Sequence, residues 1–176
     1  MLEGEMVRLR EYHKEDIQTV WKYVNDPEIK RTLVPGIPFP WKLEEEEKWY
    51  EEQNAKGDTY NFAIEKKVDG TYIGGCGINN VDWKNSVVTV GIFVGKDFLS
   101  QGYGTDAMKV LVKFIFDQMN IHKVILHVFS FNKRAIRSYE KVGFRIEGTL
   151  REQIYRDGKY YDEVIMGILK EDWALS

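Results

Sequence analysis

The feature that most constrains the fold is the stretch FVGKDFLSQGYGTDAMKVLVKF, which runs from Phe93 to Phe114. An apolar run ends in it, Gly102 and Gly104 follow with one residue between them, and an amphipathic helix pattern begins. The apolar face of that helix carries Met108, Leu111, Val112, Ile115 and Met119. Because the first backbone amides of a helix have no intrahelical acceptor, this unit predicts an anion site at the helix start.

The order of the other elements places this unit inside one α/β (α+β) domain that covers residues 1–176. Hydrophobic periodicity predicts the order β-α-α-β-β-β-α-β-α-β-β, without linkers or repeats. Asn25-Asp26-Pro27 predicts the end of the first helix, and the segment VPGIPFPW predicts a stiff loop. The segment NKRAIRSYEKVG predicts a short helix with Asn132 as its N-cap and Gly143 just after its last turn.

The composition excludes several classes of protein. The net charge is −3, which argues against nucleic acid as the main partner. Cys76 is the only cysteine, so no intrachain disulfide can form and a reducing compartment is expected. Neither a signal-type apolar run nor a span of about 20 apolar residues occurs, so we expect a cytoplasmic protein that does not enter a membrane. No cluster of potential ligands has metal-binding spacing, so no metal is expected.

Three kinds of glycine-rich turn bind phosphates, and the sequence discriminates among them. A nucleotide P-loop needs G-x-x-x-x-G-K-[ST], which the chain lacks. Residues 102–107 fit the dinucleotide pattern G-x-G-x-x-A, but the next strand ends His127-Val128-Phe129, without the carboxylate which that pattern requires. The diphosphate of an acyl-CoA remains, because glycines let a phosphate approach the backbone closely. A plain strand-to-helix turn without a ligand is the alternative.

Three blocks of sequence together resemble the GNAT superfamily of acyl-CoA N-acyltransferases. The first runs from Gly91 to Ala107, the second, at 132–144, fits N-x-x-A-x-x-x-Y-x-x-x-G-F, and the third is the opening VRLREYHKEDIQTVW. The chain is most similar to the branch that contains the ribosomal-protein N-terminal and the spermidine acetyltransferases. The resemblance implies a single GNAT-type domain, with a mixed central sheet of about seven strands and helices on both faces.

The resemblance also implies which residues hold acetyl-CoA as a co-substrate. The sheet opens beside the strand at 86–94, and the pantetheine arm binds in the gap against Ile92, Phe93 and Val94. The diphosphate lies on the amides of Gln101, Gly102, Tyr103, Gly104 and Thr105. Asn132 faces the cofactor arm. Leu99 stands where the family often has arginine or glutamine, so backbone amides must supply most phosphate contacts.

Amide formation requires a neutral amine and a proton for the departing thiolate. The resemblance places Tyr139 beside the cofactor sulfur, where a neutral phenol can donate that proton, although a core tyrosine is the simpler interpretation of its helix face.

Many relatives carry a glutamate at the position of Thr89, which cannot act as a base. A water chain that ends at an acidic residue or at His127 is then expected, although the pattern favours His127 as an imidazole packed in the sheet. Cys76 is predicted to be a small buried thiol.

The sequence leaves the acceptor open. The resemblance implies acetyl transfer to a primary amine, either a protein or peptide N-terminus or a small amine. A polyamine acetyltransferase, an aminoglycoside acetyltransferase and a non-catalytic CoA-binding module are the alternatives. The run Glu44–Glu47 weakly favours a polycation, but a solvated helix face explains it equally well. A homodimer is a further implication of the resemblance.

Overall fold

The computed structural model of the protein describes residues 2–53 and 58–175. The strands in these ranges are β1 Leu2–Glu3, β2 Val7–Arg10, β3 Tyr60–Lys66, β4 Tyr72–Asp82, β5 Val87–Val94, β6 Lys123–Phe129, β7 Arg145–Arg156 and β8 Lys159–Leu169. The helices are α1 Ile17–Asn25, α2 Pro27–Leu33, α3 Leu43–Glu51, α4 Tyr103–Gln118, α5 Lys133–Val142 and α6 Lys170–Ala174.

The strands form one mixed sheet in the order β1-β2-β3-β4-β5-β6-β8-β7. Neighbouring strands are antiparallel except for β5 and β6, which are parallel. The predicted mixed sheet is confirmed, with one strand more than the pattern indicates. That strand, β1, has only two residues, which is too short for hydrophobic alternation to reveal it.

Helices cover both faces of the sheet, as predicted. The layer formed by α1 and α3 packs on the face that carries Ala63 and Tyr72. Helices α4 and α5 pack on the opposite face, which carries Ile64 and Ile73. Because side chains alternate along a strand, neighbouring residues of β3 serve different layers. We call the first of these the α1–α3 face and the second the α4–α5 face.

The predicted end of the first helix at Asn25-Asp26-Pro27 is confirmed, and a second helix that the pattern does not indicate, α2, begins at Pro27. The Asp26 carboxylate accepts hydrogen bonds from the backbone amides of Glu28 and Ile29, at 3.0 and 3.4 Å. Proline at the first helical position loses no hydrogen bond, since that amide has no intrahelical acceptor. The residues that end α1 therefore also start a second helix.

Two features fix the start of α4. Gly102 has φ +90°, in the left-handed region that strains any residue with a Cβ. Asp106, in the first turn, accepts hydrogen bonds from the backbone amides of Glu5, Met6 and Val7 at 3.1, 2.8 and 3.0 Å. This carboxylate attaches the N-terminal strands to the helix start and holds the glycine turn in place.

Both predicted caps of α5 are confirmed. The Asn132 side-chain oxygen accepts a hydrogen bond from the backbone amide of Ala135 at 3.3 Å, and Gly143 ends the helix with φ +117°. The Thr105 and Ser138 hydroxyl oxygens lie 2.7 Å apart, which joins the first turn of α4 to α5. The two helices therefore form one rigid wall.

Candidate active site

The sheet opens between its two parallel strands. Strands β5 and β6 pair only where Val87, Val88 and Thr89 meet Lys123, Val124 and Ile125, yet both strands continue for four or five more residues, to Val94 and Phe129. Beyond Thr89 the strands separate around a cleft of about 1330 Å³. The cleft receives lining residues from both faces of the sheet.

Most of the residues predicted to bind the cofactor line this cleft. They are Ile92, Phe93, Val94, Gly102, Gly104, Thr105 and Asn132. Gln101 and Tyr103 do not line it with their side chains. The Gln101 amide donates to the carbonyl oxygen of Asp97 at 2.8 Å, and the Tyr103 ring packs edge-on against Phe98. The predicted role of both residues is that of their backbone amides, and diphosphate binding by these amides stays a prediction.

The first turn of α4 offers a cradle for an anion at one end of the cleft. The leading amides of this 16-residue helix have no intrahelical acceptors, and the positive end of its dipole lies there. A Cβ built on Gly104 would meet only Val94 Cγ2, at 3.6 Å, an ordinary van der Waals distance. The fold itself therefore does not require glycine at 104, whereas a ligand that touches the backbone would.

Tyr139 lies on α5, at the junction of the cleft and the core. Its side chain packs edge-on against Phe144 and is 9% exposed. Its hydroxyl has no hydrogen-bond partner within residues 2–53 and 58–175. Burial raises the pKa of Tyr139 to about 12. The phenol therefore stays protonated throughout the neutral range and can act only as a proton donor there.

The prediction that His127 is packed within the sheet is wrong. Its side chain is 42% exposed, lines the cleft, and places Nδ1 2.9 Å from Oε1 of Glu163, which is 11% exposed. Thr89 also lines the cleft. Sequence reasoning missed Glu163, although a glutamate directly before the apolar run VIMGIL was a usable signal.

The α1–α3 face contributes an acidic wall. Glu46 is only 8% exposed and lines the cleft beside Glu45. Burial raises the pKa of Glu46, repulsion from Glu45 raises it further, and Lys30 opposes the shift. Lys30 acts at a distance: it forms no ion pair with Glu46 in the structure, and its ammonium donates to the Phe39 carbonyl at 2.7 Å. Glu46 was overlooked within the charge run.

The helical period of α3 explains why Glu46 differs from its neighbours. Leu43, Glu46, Trp49 and Tyr50 follow each other at the spacing of one helix face. Leu43, Trp49 and Tyr50 pack against the core of that layer. Glu46 is thus the one member of the run that shares the inward face, whereas Glu44 and Glu47 are exposed.

The remaining candidate groups are inert in this structure. Cys76 is buried in the core, and burial raises the pKa of its thiol, so it is the small buried thiol that the sequence predicts. Among the described residues, no three His, Cys, Asp or Glu side chains are grouped so that they could hold a metal ion. Within the same ranges, no helix is both long and apolar enough to cross a membrane.

A parallel strand pair that separates around a cleft, with a glycine-initiated helix at its mouth, is the architecture expected of an acyl-CoA-dependent N-acyltransferase. The family model described as "Acetyltransferase (GNAT) domain" matches residues 7–145. The chain therefore belongs to the GNAT family of acetyltransferases.

Individual relatives agree with this assignment over the whole chain. The "SPbeta prophage-derived uncharacterized N-acetyltransferase YokL" of Bacillus subtilis (strain 168) is 31% identical over 173 residues, which cover 98% of this chain and 95% of YokL. The spermidine N(1)-acetyltransferase of Escherichia coli (strain K12) is 24% identical over 169 residues, covering 95% and 88%.

Among solved structures, spermidine N-acetyltransferase from Vibrio cholerae in complex with CoA and spermine superposes with a TM-score of 0.86. The two chains are 23% identical, and the match covers 96% of this chain and 98% of that one. The predicted fold and the predicted resemblance are thus confirmed. The protein is a GNAT N-acetyltransferase, which sets aside the alternative of a CoA-binding module without turnover.

Proposed function

We propose that the protein transfers the acetyl group of acetyl-CoA to a primary amine of a small, cationic acceptor, with Tyr139 protonating the departing thiolate. One observation carries this proposal: the cleft passes through the opened sheet and has chemically different walls on its two sides. The α4–α5 side presents helix amides and a phenol, and the α1–α3 side presents buried carboxylates. An anionic thioester and a cationic amine can therefore approach from opposite faces and meet between β5 and β6.

The cofactor side suits the negative charge of CoA. The free amides of the α4 first turn would hold the diphosphate. Arg134, Arg137 and Lys141 of α5 line the same side of the cleft, and only Arg134 has an ion-pair partner, Glu28 at 3.6 Å, among the described residues. Asn132 uses its side-chain oxygen for the helix cap, which leaves its amide nitrogen to donate to the pantetheine arm.

The reaction needs a proton at the sulfur when the carbon–sulfur bond breaks. A simple thiolate has a pKa near 8.5, so protonation in place makes it a better leaving group. The Tyr139 hydroxyl makes no hydrogen bond to the described part of the chain and stays protonated at neutral pH. It would give its proton to the thiolate and regain one from the acceptor nitrogen, which loses a proton as the amide forms.

The acceptor side suits a compound with more than one cationic group. Glu46 is a buried carboxylate that forms no ion pair within residues 2–53 and 58–175, and an ammonium group bound beside it would supply the counter-charge. Trp41 and Trp49 line the same part of the cleft and can cover an alkyl chain or a cation. The spermidine and spermine named for two relatives have this character, and we carry this substrate class over as part of the proposal.

An amine panel tests the proposal. Free-thiol release from acetyl-CoA is measured with monoamines, diamines, polyamines, an aminoglycoside and a peptide with a free N-terminus, at pH 7.5. We expect turnover that is fastest with diamines or polyamines. Turnover confined to the peptide would overturn the small-amine assignment, and an absence of thiol release with every amine would overturn the proposed function. The cytoplasm, where Cys76 stays reduced, is the compartment we propose.

Substituting Glu46 tests the acidic wall. Glu46→Gln keeps the side-chain shape and removes its charge, so the KM for a diamine should rise at least tenfold, which corresponds to about 1.4 kcal/mol. The KM for a monoamine of similar length should change much less. Glu47→Gln is the matched control, because Glu47 lies on the same helix but is exposed. Equal KM changes in the two variants, or none in either, would contradict a specific role for Glu46.

A further inference from the structure

The His127–Glu163 pair lies on the acceptor side of the sheet. In β6, Val124, Leu126 and Val128 belong to the core on the α4–α5 face. Because side chains alternate, His127 points to the α1–α3 face. In β8, Val164, Met166 and Ile168 belong to the same α4–α5 core, which places Glu163 on the α1–α3 face as well.

The hydrogen bond between the two side chains determines the tautomer of the neutral imidazole. Nδ1 of His127 lies 2.9 Å from Oε1 of Glu163. An ionised carboxylate only accepts, so in the neutral imidazole Nδ1 carries the hydrogen and Nε2 keeps a free lone pair. Glu163 is largely buried, whereas His127 is 42% exposed within the cleft. The carboxylate thus orients the ring, and the opposite nitrogen is available to a bound molecule.

The pair also stands where the two parallel strands begin to separate. Thr89 of β5 is registered with Ile125 of β6 at their last paired position. His127 follows two residues later on the same face, a displacement of about 6.6 Å along the strand. It therefore lies at the start of the gap, on the side from which the amine would enter.

We propose that His127 is the general base of this acetyltransferase and that Glu163 is its positioning residue. This inference rests on the proposed function and assigns the proton acceptor that Thr89 cannot provide. His127 Nε2 takes one proton from the acceptor ammonium, directly or through one water, and releases it to solvent at the exposed edge of the cleft. The neutral nitrogen then attacks the thioester carbonyl, the carbon–nitrogen bond forms and the carbon–sulfur bond breaks.

The proton count of this route balances. The ammonium loses one proton to His127 and a second as the amide forms, and the second replaces the proton that Tyr139 gives to the thiolate. Net reaction yields the amide, free CoA thiol and one proton in solvent. Besides Glu163, the other ionisable groups that line the cleft are Glu45 and Glu46 from α3, Tyr12, Cys76 from β4, and Arg134, Arg137, Tyr139 and Lys141 from α5.

His127→Gln tests the base, with His122→Gln as the matched control. His122 is an exposed histidine outside the cleft, so its substitution should leave activity unchanged. At pH 7, His127→Gln should lower kcat about 10²-fold, within the usual range for general acid–base catalysis. The acetyl-CoA Kd and the Tm should change little, because Glu163 is the only hydrogen-bond partner of this side chain among the described residues.

The pH dependence separates a base from a structural residue. A side-chain-type amine has a pKa of about 10.4, so it loses its own proton as the pH rises. The deficit of His127→Gln should therefore shrink to less than about tenfold by pH 9.5. A deficit that stays equal at every pH, or a kcat within threefold of wild type at pH 7, would overturn the base assignment while the proposed function stands. Wild-type protein that releases no thiol with any amine would overturn both.

Glu163 is tested by a conservative pair of variants. In Glu163→Gln the amide can donate to Nδ1 and so favour the tautomer in which Nε2 carries the hydrogen, which should lower kcat about tenfold or more with an unchanged acetyl-CoA Kd. Glu163→Asp keeps a carboxylate and should retain more activity than Glu163→Gln. Equal kcat values in the two variants, accompanied by an equal loss of Tm, would reduce Glu163 to a structural residue.

Discussion

A single substitution at Tyr139 separates the role of its hydroxyl from the role of its ring. Tyr139→Phe keeps the edge-on packing against Phe144 and removes a hydroxyl that has no hydrogen-bond partner among the described residues. The kcat should fall about 10²- to 10⁴-fold, with little change in Tm or in acetyl-CoA Kd. Steady-state kinetics and calorimetry measure these quantities.

The raised pKa of Tyr139 also predicts how activity depends on pH. Since burial raises that pKa to about 12, the wild-type enzyme should show no loss of activity between pH 7 and 10 from ionisation of the phenol. Tyr155→Phe is the control, because Tyr155 is 60% exposed on β7. A Tyr139→Phe variant within threefold of wild-type kcat, with chemistry rate-limiting, would make Tyr139 a packing residue only.

At the scale of elements, the start of α4 gives a test in which the fold and the ligand respond differently. Gly104→Ala adds a Cβ that meets only Val94 Cγ2 at 3.6 Å, and alanine is a better helix former than glycine. The Tm should therefore stay the same or rise. The acetyl-CoA Kd should rise at least tenfold, about 1.4 kcal/mol, if phosphate oxygens lie against that backbone.

Calorimetric titration of Gly104→Ala with acetyl-CoA measures the Kd, and thermal unfolding measures the Tm. Gly148→Ala is the control, because a Cβ there would meet nothing within 4 Å and Gly148 does not line the cleft. If Gly104→Ala binds acetyl-CoA as tightly as Gly148→Ala does, the α4 turn is not the diphosphate site.

The elements that could be predicted are those whose signals are local. The helix caps at Asn132 and Gly143 and the glycine start of α4 follow from residues within a few positions of each other. The same local reasoning places the end of α1 correctly but does not reveal α2, although a proline after a helix is also a preferred first residue of a new one. The local pattern is compatible with a loop and with a new helix after α1, and the packing of α2 selects the helix.

The candidate site could be predicted only in part, because two of its groups depend on distant contacts. His127 reads as one more residue of an apolar strand, and its partner Glu163 is 36 residues away in the sequence. Their pairing follows from the antiparallel register of β6 and β8, which the sequence pattern does not specify. The exposure of His127 follows from the separation of β5 and β6, a property of the sheet as a whole.

At the scale of the whole molecule, several buried groups share one response to alkali. Burial raises the pKa values of Tyr12, Tyr72, Tyr139 and Cys76. In the unfolded chain, a cysteine has a pKa of about 8.5 and a tyrosine one of about 10. Each group is therefore neutral in both states below its unfolded pKa, and above it the unfolded chain loses the proton that the folded protein keeps.

The free energy of unfolding should accordingly be flat between pH 7 and 8, fall first as Cys76 becomes able to ionise on unfolding, and fall more steeply above about pH 10. Each group contributes a slope of at most about 1.4 kcal/mol per pH unit, between its unfolded and its folded pKa. Urea unfolding at pH 7.5, 8.5 and 9.0 isolates the first stage, because the tyrosines are still largely protonated there in both states. Cys76→Ala removes the only thiol and should flatten the curve over this interval, at the cost of a lower starting stability from the lost packing. Identical slopes in the wild type and in Cys76→Ala would show that another group controls the alkaline limit of the fold.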